Sequence, residues 1–181
     1  PALEFGGQVD GTVKVVGRST LFGGTEAIKI AGVVSVGSSV LLEDSTLDNL
    51  GKATYNLVSF AAALNGEFAA KHCTLKGEES AVSAAADLAG SIALTSNTVT
   101  SANGHGVSLF SLTSGAVKIK RGSITSTAAS VVNVANAVDA GSSIAVDGVT
   151  GVAATSGINV AGATFAGSLS VTCGSLTATS G

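Results

Sequence analysis

Twelve acidic side chains and two histidines are the groups in this chain that could carry acid–base or metal chemistry. Cleaving a glycosidic bond needs two carboxylates at a set separation, one as acid and the other as base or nucleophile. Two local acidic clusters exist: Glu43 and Asp44 with Asp48, and Glu78 with Glu79. Lys76 lies just ahead of the second cluster. Asp44, Asp48, Lys76 and Glu78 are therefore the candidate catalytic set if the chain acts on a carbohydrate. The competing reading of these residues is solvated turn and surface charge, with Asp48 stacked near Lys76 as an ion pair between repeats. The distribution favours the second reading. Only Asp139 and Asp147 follow Gly90, too few acids for a long catalytic groove.

His72 adjoins Cys73, and His105 sits in the run Asn103-Gly104-His105-Gly106. They fall in different parts of different repeats, so a shared metal site is not expected. Cys73 and Cys173 are too few for a disulfide framework, and no Cys-x-x-Cys pair exists. Both are expected as free thiols about four repeats apart. Phosphate loops, the Gly-x-Ser-x-Gly elbow and the Asn-x-Ser/Thr sequon are all missing from the sequence. No cofactor is expected.

Two surface patterns could bind instead of react. The first is a column of Thr100, Thr125, Thr150 and Thr177 in the C-terminal half, beside the apolar residues Val99, Ile124, Val149 and Leu176. Ordered threonines of this kind resemble the flat faces of ice-binding solenoids. Threonine is also favoured on any exposed strand, being β-branched with a polar tip. The second pattern is Lys118-Ile119-Lys120-Arg121, which alternates a buried Ile119 with outward cations. These cations could touch an acidic glycan or a neighbouring chain, or form a solvated face. All nine basic residues lie at or before Arg121, and Gly122 to Gly181 carries only two charges. With a net charge of −3 there is no basic footprint for nucleic acid. The uncharged C-terminal third is either a hydrated neutral surface or a covered interface.

These side chains must be positioned by a repeat. A block reading Gly, small polar, apolar-x-apolar, then Ser/Thr-apolar starts at Gly11, Gly37, Gly66, Gly90, Gly115, Gly141 and Gly167. A second apolar-x-apolar block follows in each repeat: Ile28/Ile30, Val58/Phe60, Val82/Ala84, Val107/Leu109, Val132/Val134 and Ile158/Val160. A weaker third set runs through Val34/Val36, Ala62/Leu64, Ala86/Leu88, Leu112, Val138 and Ala163/Phe165. Period-2 alternation predicts strands with one buried face. Three short strands per repeat cannot bury a face alone, but coaxial stacking pairs each strand with its copy one turn away.

The expected fold is thus all-β: a single-stranded parallel β-solenoid of about seven coils, each about 25 residues with three short strands. A short helix over Ser80–Ala89 and an antiparallel sandwich are the rivals, and neither fits the repeated ladder as well. The chain reads as one domain over 1–181, with residues 1–10 as an entry segment and 11–176 as repeats. Its 45% hydrophobic content excludes disorder, and no apolar run is long enough for a membrane helix. Seven coils at strand spacing make a rod roughly 30 Å long. No capping helix is evident, Asp44–Lys52 being the nearest thing to one, and the chain begins at Pro1 without a Met or signal peptide. An excised segment or end-to-end assembly is the expectation.

The three-segment coil from Gly11 to Leu176 resembles the right-handed parallel β-helix of the pectin-lyase-like superfamily. Its relatives include polysaccharide lyases, tailspikes, autotransporter passenger domains and repetitive surface antigens. The resemblance implies an extracellular, cell-surface or virion-surface protein. Lyases of this fold combine a calcium-binding acidic cluster with a basic residue that abstracts a proton, which this chain could mimic only around Asp44, Asp48, Lys76 and Glu78. The absence of further acids points to a structural, adhesive rod contacting a glycan or protein. A carbohydrate-active enzyme, a trimeric assembly module and an ice-binding solenoid are the alternatives. No nucleic acid partner and no membrane insertion are expected.

Overall fold

A computed structural model describes residues 1–51, 54–162 and 164–179. Lys52 of the Asp44–Lys52 segment and Ala163 of the third repeat block lie outside the described residues. The elements are, in order, β1 (Leu3–Phe5), β2 (Thr12–Val15), β3 (Thr20–Phe22), β4 (Ile28–Ile30), β5 (Ser39–Glu43) and β6 (Thr46–Asp48). Then come β7 (Val58–Phe60), β8 (Glu67–Lys71), β9 (Thr74–Gly77), β10 (Val82–Leu88), β11 (Ser91–Ser101) and β12 (Val107–Leu112). The last are β13 (Ala116–Ser126), β14 (Val132–Val134), β15 (Ser143–Ala153), β16 (Ile158–Val160), β17 (Ser168–Thr172) and β18 (Ser175–Ala178). No helix occurs among the described residues.

Every strand pairing is parallel, and each strand pairs with its copy one coil away. The chain is therefore a parallel β-solenoid. A seven-stranded sheet runs β1-β4-β7-β10-β12-β14-β16 and is built from the second apolar block. An eleven-stranded sheet runs β2-β5-β8-β11-β13-β15-β17, with β3, β6, β9 and β18 along its other flank. Coils are numbered here from β2 as coil 1 to β17 as coil 7. In coils 4, 5 and 6 the first block and the Ser/Thr block fuse into one bent strand of 11 residues. The third block contributes mainly single bridges, Val9–Val34–Leu64–Leu88–Leu112–Val138–Phe165. The three strands of a coil are thus the two arms of the first block plus the second block.

Inward residues form one continuous aliphatic core running the length of the rod. Each fully buried Val, Leu or Ile contributes about 1.5–3 kcal/mol, so aliphatic ladders suffice to hold short strands that have no local stability. The narrow interior takes two large rings, Phe60 and Phe68, edge to face at 5.4 Å between centroids. The next residue in the column of Phe60 is Ala84, which leaves space beside them.

Ser80–Ala89 takes the strand that the repeated ladder predicts rather than the rival helix: β10 covers most of it, because Val82 and Ala84 stack on Val58 and Phe60 and tertiary pairing overrides alanine's helix preference. The entry segment 1–10 already pairs with the coil that follows: Leu3 and Phe5 lie against Ile28 and Ile30, and Val9 bridges to Val34. The ladder of coil 6 passes through Gly151, not Val149: Gly151 pairs with Ile124 on one side and Leu176 on the other. The side chain of Leu176 occupies the space there, 2.4 Å from where a Gly151 Cβ would stand. Val149 is buried one corner earlier, beside Gly122. Val149 is apolar and near the right place, but the five-residue spacing between the arms in coils 2 to 6 puts Gly151 in the ladder.

Candidate functional site

The corner between the two arms of the large sheet is the most regular feature outside the core. Every coil has a residue of positive φ there: Arg18 (60°), Asp44 (50°), His72 (53°), Ser96 (55°), Arg121 (54°), Gly148 (63°) and Cys173 (50°), with Gly17 (79°) and Gly122 (103°) adding a second in coils 1 and 5. Six of the seven are not glycine, so no glycine pattern advertises the corner in the sequence. The strain is met by stacking, because the amides of Asp44 and His72 donate to Lys71 O and Thr95 O one coil further on. The turn throws the six side chains to one outer edge. Acids and bases meet there across coils rather than within them.

The candidate acids have structural partners. Asp44 Oδ1 lies 3.5 Å from His72 Nδ1, and Asp48 Oδ2 lies 3.5 Å from Lys76 Nζ, one coil apart as their register requires. The Leu50 amide donates to the other Asp48 oxygen at 3.0 Å. Glu78 Oε2 accepts from the Gly51 amide at 2.7 Å, and its Oε1 accepts from Asn103 Nδ2 at 2.8 Å. Asp48, Lys76 and Glu78 are thus brought to the Leu50–Gly51 turn, where both oxygens of each carboxylate are engaged. Asp44 stays at the corner, four residues and about 13 Å of strand from Asp48. Two other lysine–carboxylate pairs, Lys71 with Glu43 and Lys29 with Glu4, span 3.3 Å between adjacent coils. Exposed pairs like these contribute under about 1 kcal/mol each.

Among the described residues no three His, Cys, Asp or Glu side chains come together as a metal set. His105 is half-buried, and the Ser130 amide donates to its Nδ1 at 3.1 Å. Burial pushes its pKa below the ordinary histidine value. Two neighbours in the same column do the same work. Asn56 Oδ1 accepts from the Ser80 amide, and Ser80 Oγ accepts from the His105 amide. His105 is therefore a rung in a polar ladder that caps successive turns. Cys73 is buried and Cys173 exposed, both free thiols. Burial raises the Cys73 pKa, and its Sγ donates to Lys71 O at 3.3 Å. Ser35 and then Gln8 donate hydrogen bonds to Asp10 and lower its pKa.

The threonine column is corrected by the register of coil 6. Thr100 and Thr125 are neighbours, but the next position is Val152, followed by Thr177. Thr150 belongs to the column one step earlier. That column is unbroken over all seven coils: Thr20, Thr46, Thr74, Thr98, Ser123, Thr150 and Ser175. Its signal was present in the sequence as the Ser/Thr preceding nearly every ladder residue. Phe22, Asp48 and Lys76 occupy the Thr100 column in coils 1 to 3.

Lys118 and Lys120 project from the outer face of β13, and Arg121 from the corner beside them; all three are exposed. Ala93 and Ala145 flank Lys118, while Thr95 and Asp147 flank Lys120. Lys118, Lys120 and Arg121 form no ion pair among the described residues.

Comparison of the chain with family models, curated proteins and solved structures returns no match. The fold class therefore stands on the strand pairing itself.

Proposed function

We propose that this chain is a stiff, non-enzymatic display rod of an extracellular, cell-surface or virion protein, presenting an outer face to a glycan or protein partner. The membership that best accounts for its coil is the pectin-lyase-like superfamily, on its adhesin or surface-antigen side. The observation that carries the reading is how the polar groups are spent. The acids of the candidate catalytic set are engaged in cross-coil contacts and turn hydrogen bonds, while one outer column is unbroken Thr or Ser over all seven coils. Parallel pairing along one continuous core favours a rigid body, and rigidity with a repeating neutral face suits display. Fold alone does not select the function, because one scaffold hosts many.

Small-angle scattering with sedimentation, followed by a glycan array, tests the reading. A monomeric rod roughly 30 Å along its axis that captures a subset of glycans is the expected outcome. A compact trimer would replace display by assembly through the low-charge face. Turnover of a polysaccharide that disappears in Asp48→Asn or Glu78→Gln would replace it by catalysis.

A further inference from the structure

Three lysines and a histidine in the N-terminal half each face an acid one coil away: Lys29 with Glu4, Lys71 with Glu43, His72 with Asp44, and Lys76 with Asp48. Coil 5 departs from this rule. Lys118, Lys120 and Arg121 stand within four residues of one another and have no such partner among the described residues. Lys14 and Arg18 of coil 1 are also unpaired there, but a wider turn separates them. Asp147 is the one acid in register with Lys120, and its Oδ1 accepts from the Thr172 hydroxyl at 2.7 Å instead.

The surroundings fit a ligand that is both charged and hydroxylated. Lys118 and Lys120 are two residues apart on one strand face, about 6.6 Å, and Arg121 extends the row to the corner. Ala93 and Ala145 on either side leave a low methyl shelf at Lys118. Thr95, Ser96 and the hydroxyl column at Thr98, Ser123 and Thr150 border the row. Lysine offers point charges, and arginine a two-pronged donor suited to carboxylate or sulfate. Beyond Arg121 the chain carries only two charges, both acidic, so no cationic patch lies C-terminal to this one.

We propose that Lys118, Lys120 and Arg121 bind an acidic glycan, a carboxylated or sulfated polysaccharide whose anions bridge the three cations while its C–H faces lie on the alanine shelf. This rests on the display reading and names the ligand class for it. Nucleic acid fits less well. A binder of that kind neutralises about 6–10 phosphates along an extended path, whereas this row crosses a single coil of a chain with net charge −3.

The neighbouring coils supply the test variant. Lys118→Ala, Lys120→Thr and Arg121→Ser together copy residues already standing in the same columns: Ala93 and Ala145, Thr95 and Thr172, and Ser96 at φ 55°. This triple variant is expected to keep the wild-type circular dichroism. Calorimetric titration would use oligogalacturonate, a heparin oligosaccharide and a neutral cello-oligosaccharide. Wild type should bind one of the acidic ligands and lose at least about tenfold in affinity between low and high salt. The triple variant should lose at least about tenfold at low salt, and the neutral ligand should bind neither protein. Equal binding by the variant overturns the site and leaves the display rod standing. Absence of binding to either acidic ligand, with a monomeric rod in scattering, overturns the site alone. A non-rod in scattering overturns the display reading. Tighter binding of a single-stranded oligonucleotide through the same three residues overturns the glycan in favour of nucleic acid.

Discussion

Gly90 and Gly37 both stand just before a strand of the large sheet, and they resist substitution for different reasons. A Cβ on Gly90 would lie 1.8 Å from Gly66 O, in the backbone of the preceding coil. Gly37 has open space around it but holds φ at 80°. Gly90→Ala should therefore cost several kcal/mol, at the severe end for single substitutions, and Gly37→Ala only about 1–2 kcal/mol. Urea denaturation of the two variants would check the order, and equal losses would contradict the packing account. His105 gives a pH dependence. Its folded pKa is depressed, so the unfolded chain takes up the proton first. Its contribution is complete above the ordinary histidine value of about 6.5 and falls as pH drops through the folded value. The expected sign is lower stability at pH 5 than at pH 7.5. His105→Asn should reduce that difference, because an amide oxygen can accept the Ser130 amide without titrating, as Asn56 does for Ser80. An unchanged difference in the variant would place the titration elsewhere.

At the scale of the element, the bent strands of coils 4 to 6 depend on what fills the inner corner. That column reads Cys73, Asn97, Gly122, Val149, four different chemistries in one position. Asn97 fills it with hydrogen bonds: its Oδ1 accepts from the Cys73 amide at 2.7 Å and its Nδ2 donates to Ala70 O at 2.8 Å. Asn97→Ala leaves a buried amide and a buried carbonyl without partners, at roughly 1–3 kcal/mol each. A melting temperature lowered by several degrees would agree; an unchanged one would mean that water replaces the side chain. Leu75 belongs to the ladder proper and is fully buried between Leu47 and Val99. Leu75→Ala should cost about 2–5 kcal/mol. Ladder positions such as Leu75 were plain in the sequence, because period-2 alternation needs no knowledge of neighbours. The corner fillers were not, because their partners lie a whole coil away.

For the whole molecule, stability is a sum over stacked coils. Removing residues 91–115 joins Gly90 to Ala116 in unbroken register, since Ser91 pairs with both Glu67 and Ala116. The shortened chain should fold, keep its β-sheet circular dichroism per residue, and lose about 4.8 Å of rod length. Collapse to a disordered spectrum would show that coil 4 is a specific centre rather than one repeat among equals. The ends of the described rod differ from its middle. Leu169 and Val171 of coil 7 are 48% and 46% exposed, whereas Ile144 and Val146, their neighbours in coil 6, are 1% exposed.

The sequence by itself determined the solenoid, its seven coils and most of its ladders, because inward alternation and a near-constant repeat are local patterns that any stacking must honour. It also placed Asp48 against Lys76, since the repeat length alone brings them together. The tertiary structure alone decided the fate of Gly151, the true course of the threonine column and the identity of the left-handed corner. Each depends on how one coil sits on the next. One extra residue between Val134 and Val138 and a second between Val138 and Ser143 change the coil length from 25 to 27. The neutral partners around Lys118, Lys120 and Arg121 were likewise invisible along the chain. Those neighbours are 25 or 27 residues distant, and only stacking makes them adjacent.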